Sequence, residues 1–344
     1  MTQTREPGPW PTRGDGEPPL VAVLGASGFV GSAVTAALAR RPVRLRAVAR
    51  RPVTVPHGAV AEVETYAADL TTPGAVEAAV ADADAVVFLV LHTSGWRGAD
   101  HDPASERTNV GVLDDLVRTL RSRRLPAPAV VFAGSTSQVG LPPRVPIDGT
   151  ETDHPATAYD RQKQAAEGLL RAATAEGVLR GVSLRLPTIF GPAPAPAAPD
   201  RGVVAAMARR ALADEPLTVW ADGAVQRDLL YVDDVAEAFV AALHHADLLA
   251  GRHWPLGTGV GVSLRDLFGT IAEVVAGHTG RPPVPVVSVP PPAQATGTDA
   301  HSMVVDASAF RAATGWRPLV PLREALDRTV TALVHPTRTA SASG

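Results

Sequence analysis

Three glycines at positions 25, 28 and 31 follow directly on the apolar run Leu20–Leu24 and open an alanine-rich stretch that reaches Arg40. An apolar run of this length is typical of a buried parallel strand, and the alanine-rich stretch favours a helix. Glycines between a strand and a helix permit a tight turn and a close approach of a diphosphate to the helix N-terminus. The segment predicts a dinucleotide-binding turn, the alternative being a glycine-rich turn without a ligand. The predicted contacts of the turn are Gly25, Ser27, Gly28, Phe29, Val30 and Gly31.

Strand-like and helix-like segments alternate over the first half of the chain. This alternation predicts an α/β fold with a doubly wound parallel sheet. The predicted strands are 20–24, 43–49, 62–67, 85–91, 129–133 and 182–186, and the main predicted helices are 109–124 and 159–175.

The residue composition of the chain changes after Pro187. The proline-rich segment at 191–200 predicts a loop. We therefore expect two units. Residues 19–185 plus about 226–254 form the nucleotide-binding domain, and residues 186–225 plus about 255–335 form a smaller substrate-binding lobe. The segments 1–18 and 336–344 are expected to be disordered.

Composition excludes several classes of protein. The chain of 344 residues has a net charge of −3, so the composition gives no indication of a basic surface that would bind nucleic acid. It has no cysteine, which excludes disulfides, thiolate metal sites and thiol nucleophiles. No apolar run reaches about 18 residues and no signal sequence precedes the first strand, so no membrane segment is expected. A cytoplasmic protein without a metal is the resulting expectation.

The end of the second predicted strand bears on the choice of cofactor. An NAD-binding turn usually has an acidic residue about 20 residues on, which binds the adenosine ribose. Here Ala49 holds that place and is followed by Arg50 and Arg51. Two guanidiniums can clamp a 2′-phosphate, so the segment predicts NADP(H), the alternative being two surface arginines. Asp69-Leu70, after the third strand, is expected to contact the adenine.

Lys163 is the one lysine among 32 basic residues, and it lies four residues after Tyr159. Positions i and i+4 share one face of a helix, so a phenol and an ammonium should lie side by side. A nearby cation lowers the pKa of a phenol from about 10, which would suit it to proton transfer. The alternative is a solvated helix face with a stray lysine.

A hydroxyl-rich turn, Gly134–Gly140, follows the fifth predicted strand. The carboxyl ends of parallel strands form the ligand-binding edge of such a sheet. A hydroxyl of Ser135 would lie there, the alternative being a turn without a ligand.

These motifs, in this order, resemble the extended short-chain dehydrogenase/reductase family over roughly residues 20–332. Further segments of the resemblance are Arg185–Pro192, Gln226–Val235 and Asp306–Pro318. The resemblance implies a Rossmann-type fold and a homodimer through the helices at 109–124 and 159–175.

The resemblance also implies roles for individual residues. Tyr159 would donate a proton to a substrate carbonyl oxygen, Lys163 would bind the nicotinamide ribose, and Ser135 would hydrogen-bond the same oxygen. Asn109 would brace the site, the alternative being an ordinary helix N-cap. Further cofactor contacts would come from Leu89, Val90, Leu91 and Pro187, and substrate contacts from His92, Thr136, Ser137, Thr188, Arg201, Val219, Trp220 and Arg227.

Four segments are similar to actinobacterial dTDP-4-keto-6-deoxyhexose 4-ketoreductases: Gly134–Gly140, Tyr159–Lys163, Leu184–Pro192 and Ala198–Val204. Two departures from the family's epimerases and dehydratases favour a reductase. Ala49 stands where the NAD-binding acid is usual, and Thr136-Ser137 stands where dehydratases have Asp-Glu. Arg227 would grip the diphosphate, unless it pairs with a neighbouring aspartate.

The expected activity is the NADPH-dependent reduction of a dTDP-4-keto-deoxysugar at C4. Three alternatives remain open at this point. They are a sugar-nucleotide epimerase, an NADPH reductase of a non-nucleotide ketone, and an NADP-binding sensor without turnover.

Overall fold

A computed structural model of the chain describes residues 16–93, 95–123, 126–192, 202–292, 295 and 297–335. The strands are β1 Leu20–Leu24, β2 Arg44–Ala49, β3 Glu62–Ala67, β4 Ala85–Phe88, β5 Ala129–Ser135, β6 Arg180–Leu186, β7 Thr188–Phe190, β8 Leu217–Trp220, β9 Gln226–Tyr231, β10 His253–Pro255, β11 Gly261–Ser263 and β12 Val286–Val289. The helices are α1 Phe29–Ala39, α2 Ala75–Ala79, α3 Gly95–Gly98, α4 Ala104–Glu106, α5 Val112–Ser122, α6 Ala158–Ala175, α7 Val203–Leu212, α8 Val232–His244, α9 Ala246–Leu249, α10 Leu264–Thr279, α11 Ser308–Thr314 and α12 Leu322–Val334. Short 3₁₀ turns lie at Ala99–His101, Thr136–Val139 and Gly297–Ala300, and a π-helical segment at Arg107–Gly111 joins α4 to α5.

The central sheet has seven parallel strands in the order β10-β6-β5-β4-β1-β2-β3. The chain winds outward from β1 in both directions, so the order reverses between β1 and β4. Ligands bind to open α/β sheets at the carboxyl ends of the strands beside such a reversal. The predicted doubly wound, Rossmann-type fold is confirmed.

Helices cover both faces of this sheet because its strands are apolar on both sides. In β1, Val21 and Val23 pack with α1 and α8, whereas Ala22 and Leu24 pack with α2, α5 and α6. Successive side chains of a strand point to opposite faces, so one run of five apolar residues contributes to two cores.

A second body of structure is built from the two smaller sheets. One has the order β11-β9-β7 and the other pairs β12 with β8. Helices α7, α10 and α12 share an apolar core with these strands. The exact division between nucleotide-binding domain and substrate lobe stays a prediction, and residues 1–15 and 336–344 lie outside the described part of the chain.

Several elements are absent from the sequence prediction, among them strand β10 and helix α10. Strand β10 adds a seventh strand beside β6, but its three residues are too few to show any periodicity. Helix α10 is longer, and Ser263 caps it through a hydrogen bond from the Asp266 amide while Gly280 ends it in the left-handed conformation. These two caps were the available signal for that helix.

Among the described residues, none of the helices combines the length and apolar character needed to cross a membrane.

Candidate active site

The glycine turn connects β1 to α1 at the carboxyl edge of the sheet. Gly25 has φ +92°, and a Cβ there would lie 2.8 Å from the Leu89 carbonyl oxygen, just past the end of β4. A Cβ on Gly31 would lie 2.0 Å from the Gly25 carbonyl oxygen. Only glycine fits such contacts. The turn therefore keeps its backbone bare at the start of a helix, which suits the diphosphate of a dinucleotide.

The sheet edge beside this turn carries the residues predicted to select NADP(H) over NAD(H). Arg50 and Arg51 are exposed directly after β2, and Asp69 is exposed after β3. The Asp69 carboxylate accepts hydrogen bonds from the amide and hydroxyl of Thr71, which lower the pKa of Asp69, and the charge of Arg50 lowers it further. Arg50 and Asp69 are thus neighbours at this edge. Leu70 is 7% exposed and belongs to the apolar core.

Asn109 lies inside the continuous helix formed by α4, the π segment and α5, so the N-cap alternative is wrong. Its side-chain oxygen accepts a hydrogen bond from the His92 amide at 2.8 Å, and its side-chain nitrogen donates to Gln162 at 2.7 Å. The Gln162 amide nitrogen in turn donates to Ser105. Asn109 therefore ties the segment after β4 to α6, which supports the predicted bracing role.

Tyr159 and Lys163 lie on the face of α6 that meets β5. Ser135, at the end of β5, is close enough to the Tyr159 hydroxyl to lower its pKa. The Lys163 ammonium lies 5.7 Å from the Tyr159 ring centroid and donates to the Ala133 carbonyl at 2.7 Å. The fold thus brings together the three residues predicted to carry the chemistry, since α6 begins at the strand edge where β5 ends.

The expected lowering of the Tyr159 pKa is wrong for the chain by itself. Burial raises the pKa of Tyr159 to about 12, and the neighbouring Ser135 side chain lowers it less than burial and the charge of Asp160 raise it. Tyr159 is therefore a protonated phenol at neutral pH and is equipped to donate a proton.

Burial also lowers the pKa of Lys163, from 10.5 to about 8. The folded value lies below the unfolded one. The stability contribution of this lysine is therefore fully present above pH 10.5 and is lost as the pH falls through about 8.

We expect the Nζ resonance of Lys163 to titrate near pH 8, because the buried ammonium has lost most of its hydration. The chain has one lysine, so nitrogen-15 lysine labelling yields a single side-chain signal for an NMR titration. Lys163→Arg removes that signal and confirms its assignment. A midpoint at the ordinary value of 10.5 would contradict the burial argument.

The hydroxyl groups of Thr136 and Ser137, which follow Ser135, donate hydrogen bonds to other groups of the chain. Thr136 is buried and donates to the Leu186 carbonyl at 3.2 Å. Ser137 donates to the buried carboxylate of Asp160 at 2.5 Å. Asp160 was not among the predicted site residues, although its place beside Tyr159 was the signal that could have identified it.

The predicted substrate and cofactor contacts beyond the strand edge are placed as follows. Val219 is 1% exposed and packs in the core of the smaller sheets, whereas Trp220 is half-buried at the end of β8. Pro187 and Thr188 are half-buried where β6 passes into β7. Arg201 lies outside the described residues. Leu89, Val90 and His92 are half-buried after β4, and Leu91 is exposed there.

Arg227 binds a loop of its own chain. Its guanidinium donates to the carbonyls of His301 at 2.6 Å and Asp299 at 2.9 Å, and it also reaches those of Gln226 and Thr298. The alternative pairing with Asp228 is wrong, because that carboxylate accepts instead from Thr258, Gly259 and Val305. Arg227 therefore positions the loop at 297–303 beside β9.

A buried ion network that was not predicted from the sequence lies between α6 and β6. Arg185 is 2% exposed and makes two 2.6 Å bonds to Asp153 and one of 2.6 Å to Glu167. Burial alone would raise the pKa of Glu167, but hydrogen bonds from His253 and Arg185 hold it well below its usual range. The network joins α6 to β6 and β10.

Comparisons with known proteins agree with this site. A model of the NAD dependent epimerase/dehydratase family matches residues 21–257. The chain is 30% identical to a dTDP-6-deoxy-L-talose 4-dehydrogenase (NAD(P)(+)) of Kitasatospora kifunensis, over 92% of this chain and 96% of that protein. It is 29% identical to a UDP-glucose 4-epimerase of Mycolicibacterium smegmatis, over 72% and 75% of the two chains.

Solved structures show the same architecture. The UDP-glucose 4-epimerase of Thermus thermophilus in complex with NAD superposes with a TM-score of 0.74 at 27% identity, covering 91% of this chain and 98% of that chain. The family match spans the glycine turn and the Ser135, Tyr159 and Lys163 set. A nicotinamide cofactor therefore suits the site, and the chain belongs to the NAD-dependent epimerase/dehydratase family.

Proposed function

We propose that this chain reduces the C4 keto group of a dTDP-4-keto-6-deoxyhexose with NADPH. The observation that carries the proposal is the placement of Ser135, Tyr159 and Lys163 at the same sheet edge as the glycine turn. The similarity to a dTDP-sugar 4-dehydrogenase over nearly the whole of both chains supports the choice of sugar nucleotide.

Different residues of the chain would bind the cofactor and transfer the proton. The glycine turn and the N-terminus of α1 would hold the cofactor diphosphate, and Arg50 and Arg51 the 2′-phosphate. When bound, the cofactor supplies a hydride. As negative charge builds on the substrate oxygen, Tyr159 donates its phenolic proton to it. Lys163 would hold α6 against β5, and Asn109 would hold the segment after β4 against α6, so that the phenol keeps its position.

A single assay separates the reaction types. Purified protein is mixed with NADPH and a dTDP-4-keto-6-deoxyhexose, and NADPH absorbance is followed together with the sugar products. Stoichiometric loss of NADPH with formation of a 4-hydroxy sugar supports the proposal. Interconversion of sugars without NADPH loss would identify an epimerase, equal rates with a small unlinked ketone would remove the nucleotide requirement, and binding without turnover would indicate a sensor.

The preference for NADPH is tested at the exposed arginines. Replacing Arg50 and Arg51 together with alanine should weaken NADPH binding by roughly 10- to 100-fold per lost charge-assisted hydrogen bond. NADH, which has no 2′-phosphate, should be affected little. Both dissociation constants are measured by fluorescence titration.

A matched control is Arg40→Ala, which removes an exposed arginine bound to Glu237 at the end of α1. It should change neither dissociation constant. Equal weakening of NADH and NADPH in the double variant, or a wild-type preference for NADH, would contradict the assignment.

A further inference from the structure

A row of buried amide and hydroxyl side chains connects the segment after β4 to helix α6. The His92 amide donates to Oδ1 of Asn109 at 2.8 Å, and Nδ2 of Asn109 donates to Oε1 of Gln162 at 2.7 Å. Nε2 of Gln162 donates to Oγ of Ser105 at 2.8 Å, and the Ser105 hydroxyl donates to the Ala99 carbonyl at 3.4 Å. The three side chains of the row are 3%, 8% and 1% exposed in this order, so water competes little for these bonds.

Both ends of the row are backbone groups, and they fix its direction. A backbone N–H can only donate, so Asn109 must present its oxygen to His92 and its nitrogen to Gln162. Gln162 must then accept through its oxygen and present its nitrogen to Ser105. At the far end the Ala99 carbonyl can only accept, which matches the hydrogen left on Ser105. The orientation of Asn109 is therefore set from both sides, by His92 and by Gln162.

A second contact attaches the same segment to the start of α6. Oδ1 of Asp100 accepts from the amide of Ala158, the first residue of α6, at 2.7 Å. The same oxygen lies 3.8 Å from a guanidinium nitrogen of Arg161. Tyr159 follows Ala158 directly. The segment after β4 is thus attached to α6 on both sides of Tyr159, at Ala158 and at Gln162.

The beginning of this segment lies at the predicted cofactor edge. The Leu89 amide donates to the Leu24 carbonyl at 2.9 Å, and a Cβ on Gly25 would lie 2.8 Å from the Leu89 carbonyl oxygen. The segment therefore runs from the glycine turn to the part of α6 that carries the phenol. Asn109 meets it from a π-helical turn, a rare conformation that occurs mostly at functional sites.

We propose that Gln162 is a positioning residue for the reaction. By fixing the orientation of Asn109, it holds the segment after β4 at a set distance from the helical turn that carries Tyr159 and Lys163. A hydride donor bound along that segment is then held in place relative to the proton donor. The proposal rests on the proposed function in taking this edge as the cofactor site.

The first test replaces Gln162 by leucine, which is similar in size and can make neither hydrogen bond. Asn109 then loses its fixed orientation, so the His92 amide should exchange with solvent roughly two- to tenfold faster, the effect of one lost hydrogen bond. The Leu89 amide, which bonds within the sheet, should keep its rate. Hydrogen exchange followed by NMR compares the two amides in the free protein, so this readout needs neither cofactor nor substrate.

The second test is activity. Gln162→Leu should lower kcat for ketone reduction by roughly 10- to 100-fold, because a small misplacement of the reacting groups has an effect of this size. The dissociation constant for NADPH should change little, since the glycine turn and the two exposed arginines would hold the other end of the cofactor. A merely structural role would lower the Tm and leave kcat per folded molecule unchanged.

Two variants serve as controls. Thr108→Val removes a hydroxyl next to Asn109, but that hydroxyl bonds the Ala104 carbonyl of its own helix at 3.4 Å, so kcat and both exchange rates should stay unchanged. Gln162→Glu keeps an oxygen for Asn109, and the Ser105 hydroxyl can turn to donate to the second oxygen. It should therefore restore the slow exchange of His92 and most of kcat.

Ser105→Ala tests the row if Gln162→Leu fails to fold. It removes the acceptor that orients Gln162, so it should change the His92 exchange rate and kcat in the same direction and by less. An unchanged His92 rate in both folded variants would overturn the proposal, and so would faster exchange with unchanged kcat. Equal losses in Gln162→Leu and Gln162→Glu would overturn it as well. Faster His92 exchange in a protein whose wild type does not oxidise NADPH would refute the proposed function alone.

Discussion

Tyr159→Phe should lower kcat for ketone reduction by roughly 10²- to 10⁴-fold, the range that a positioned proton donor contributes. The substitution removes one hydroxyl and retains the ring that packs near Lys163. The lost group is the one whose pKa of about 12 keeps it protonated at neutral pH. NADPH binding should therefore persist while turnover is lost.

The measurement is kcat from steady-state assays beside a fluorescence titration with NADPH. Tyr66→Phe is the matched control, since Tyr66 lies in β3 at the far side of the sheet. It should retain full activity. If Tyr159→Phe kept more than about a tenth of wild-type kcat, Tyr159 would not be the proton donor.

Arg185→Ala should destabilise the fold by about 3–5 kcal/mol, the usual cost of removing one partner from a buried ion pair. Asp153 and Glu167 would both lose their guanidinium, and Glu167 is 6% exposed. The hydrogen bonds that keep the pKa of Glu167 low would be reduced to those from His253 and Ser183. An uncompensated carboxylate would then lie between α6 and β6.

The free energy of unfolding is measured by urea denaturation. Arg180→Ala provides the comparison on the same strand, because Arg180 pairs with Asp247, whose side chain is 84% exposed. Exposed pairs contribute about 0–1 kcal/mol. Comparable losses in the two variants would show that the buried network stabilises no more than a surface pair.

The central sheet was largely predictable because its strands carry a local signal. The bounds of β1 and β3 agree with the predicted runs, since each is apolar or alternating and ends at a turn. The predicted strand at 85–91 was too long, because the chain leaves the sheet after Phe88. There it passes beside Gly25 and forms part of the predicted cofactor edge.

The proximity of the candidate catalytic residues was also predictable, since their spacing in the chain reflects local geometry. Tyr159 and Lys163 are one helical turn apart. Ser135 lies at the carboxyl end of β5, which is the sheet edge where α6 begins. The direction of the phenol's pKa was not predictable. It depends on how completely burial removes water from the hydroxyl, and on where the ammonium points.

The hydrogen-bond partners of Arg227 were likewise not predictable from the sequence. The sequence places an arginine near two aspartates, and either pairing or ligand binding was a reasonable expectation. The fold brings a loop more than 70 residues away, at 298–301, against its guanidinium, and the predicted contact with a diphosphate stays a prediction. The partners are backbone carbonyls, which every residue possesses, so no pattern of side chains could have identified them.

The sequence by itself determined the Rossmann-type sheet, the glycine turn and the Ser135, Tyr159 and Lys163 set, because each depends on neighbours within a strand, turn or helical turn. The tertiary structure alone decided the surroundings of Asp160, the Arg185 network and the loop held by Arg227. These depend on contacts between residues that are remote in sequence and on the removal of water from charged and hydroxyl groups. Hydrogen-bond direction and proton affinity follow from that burial, which no local pattern of residues records.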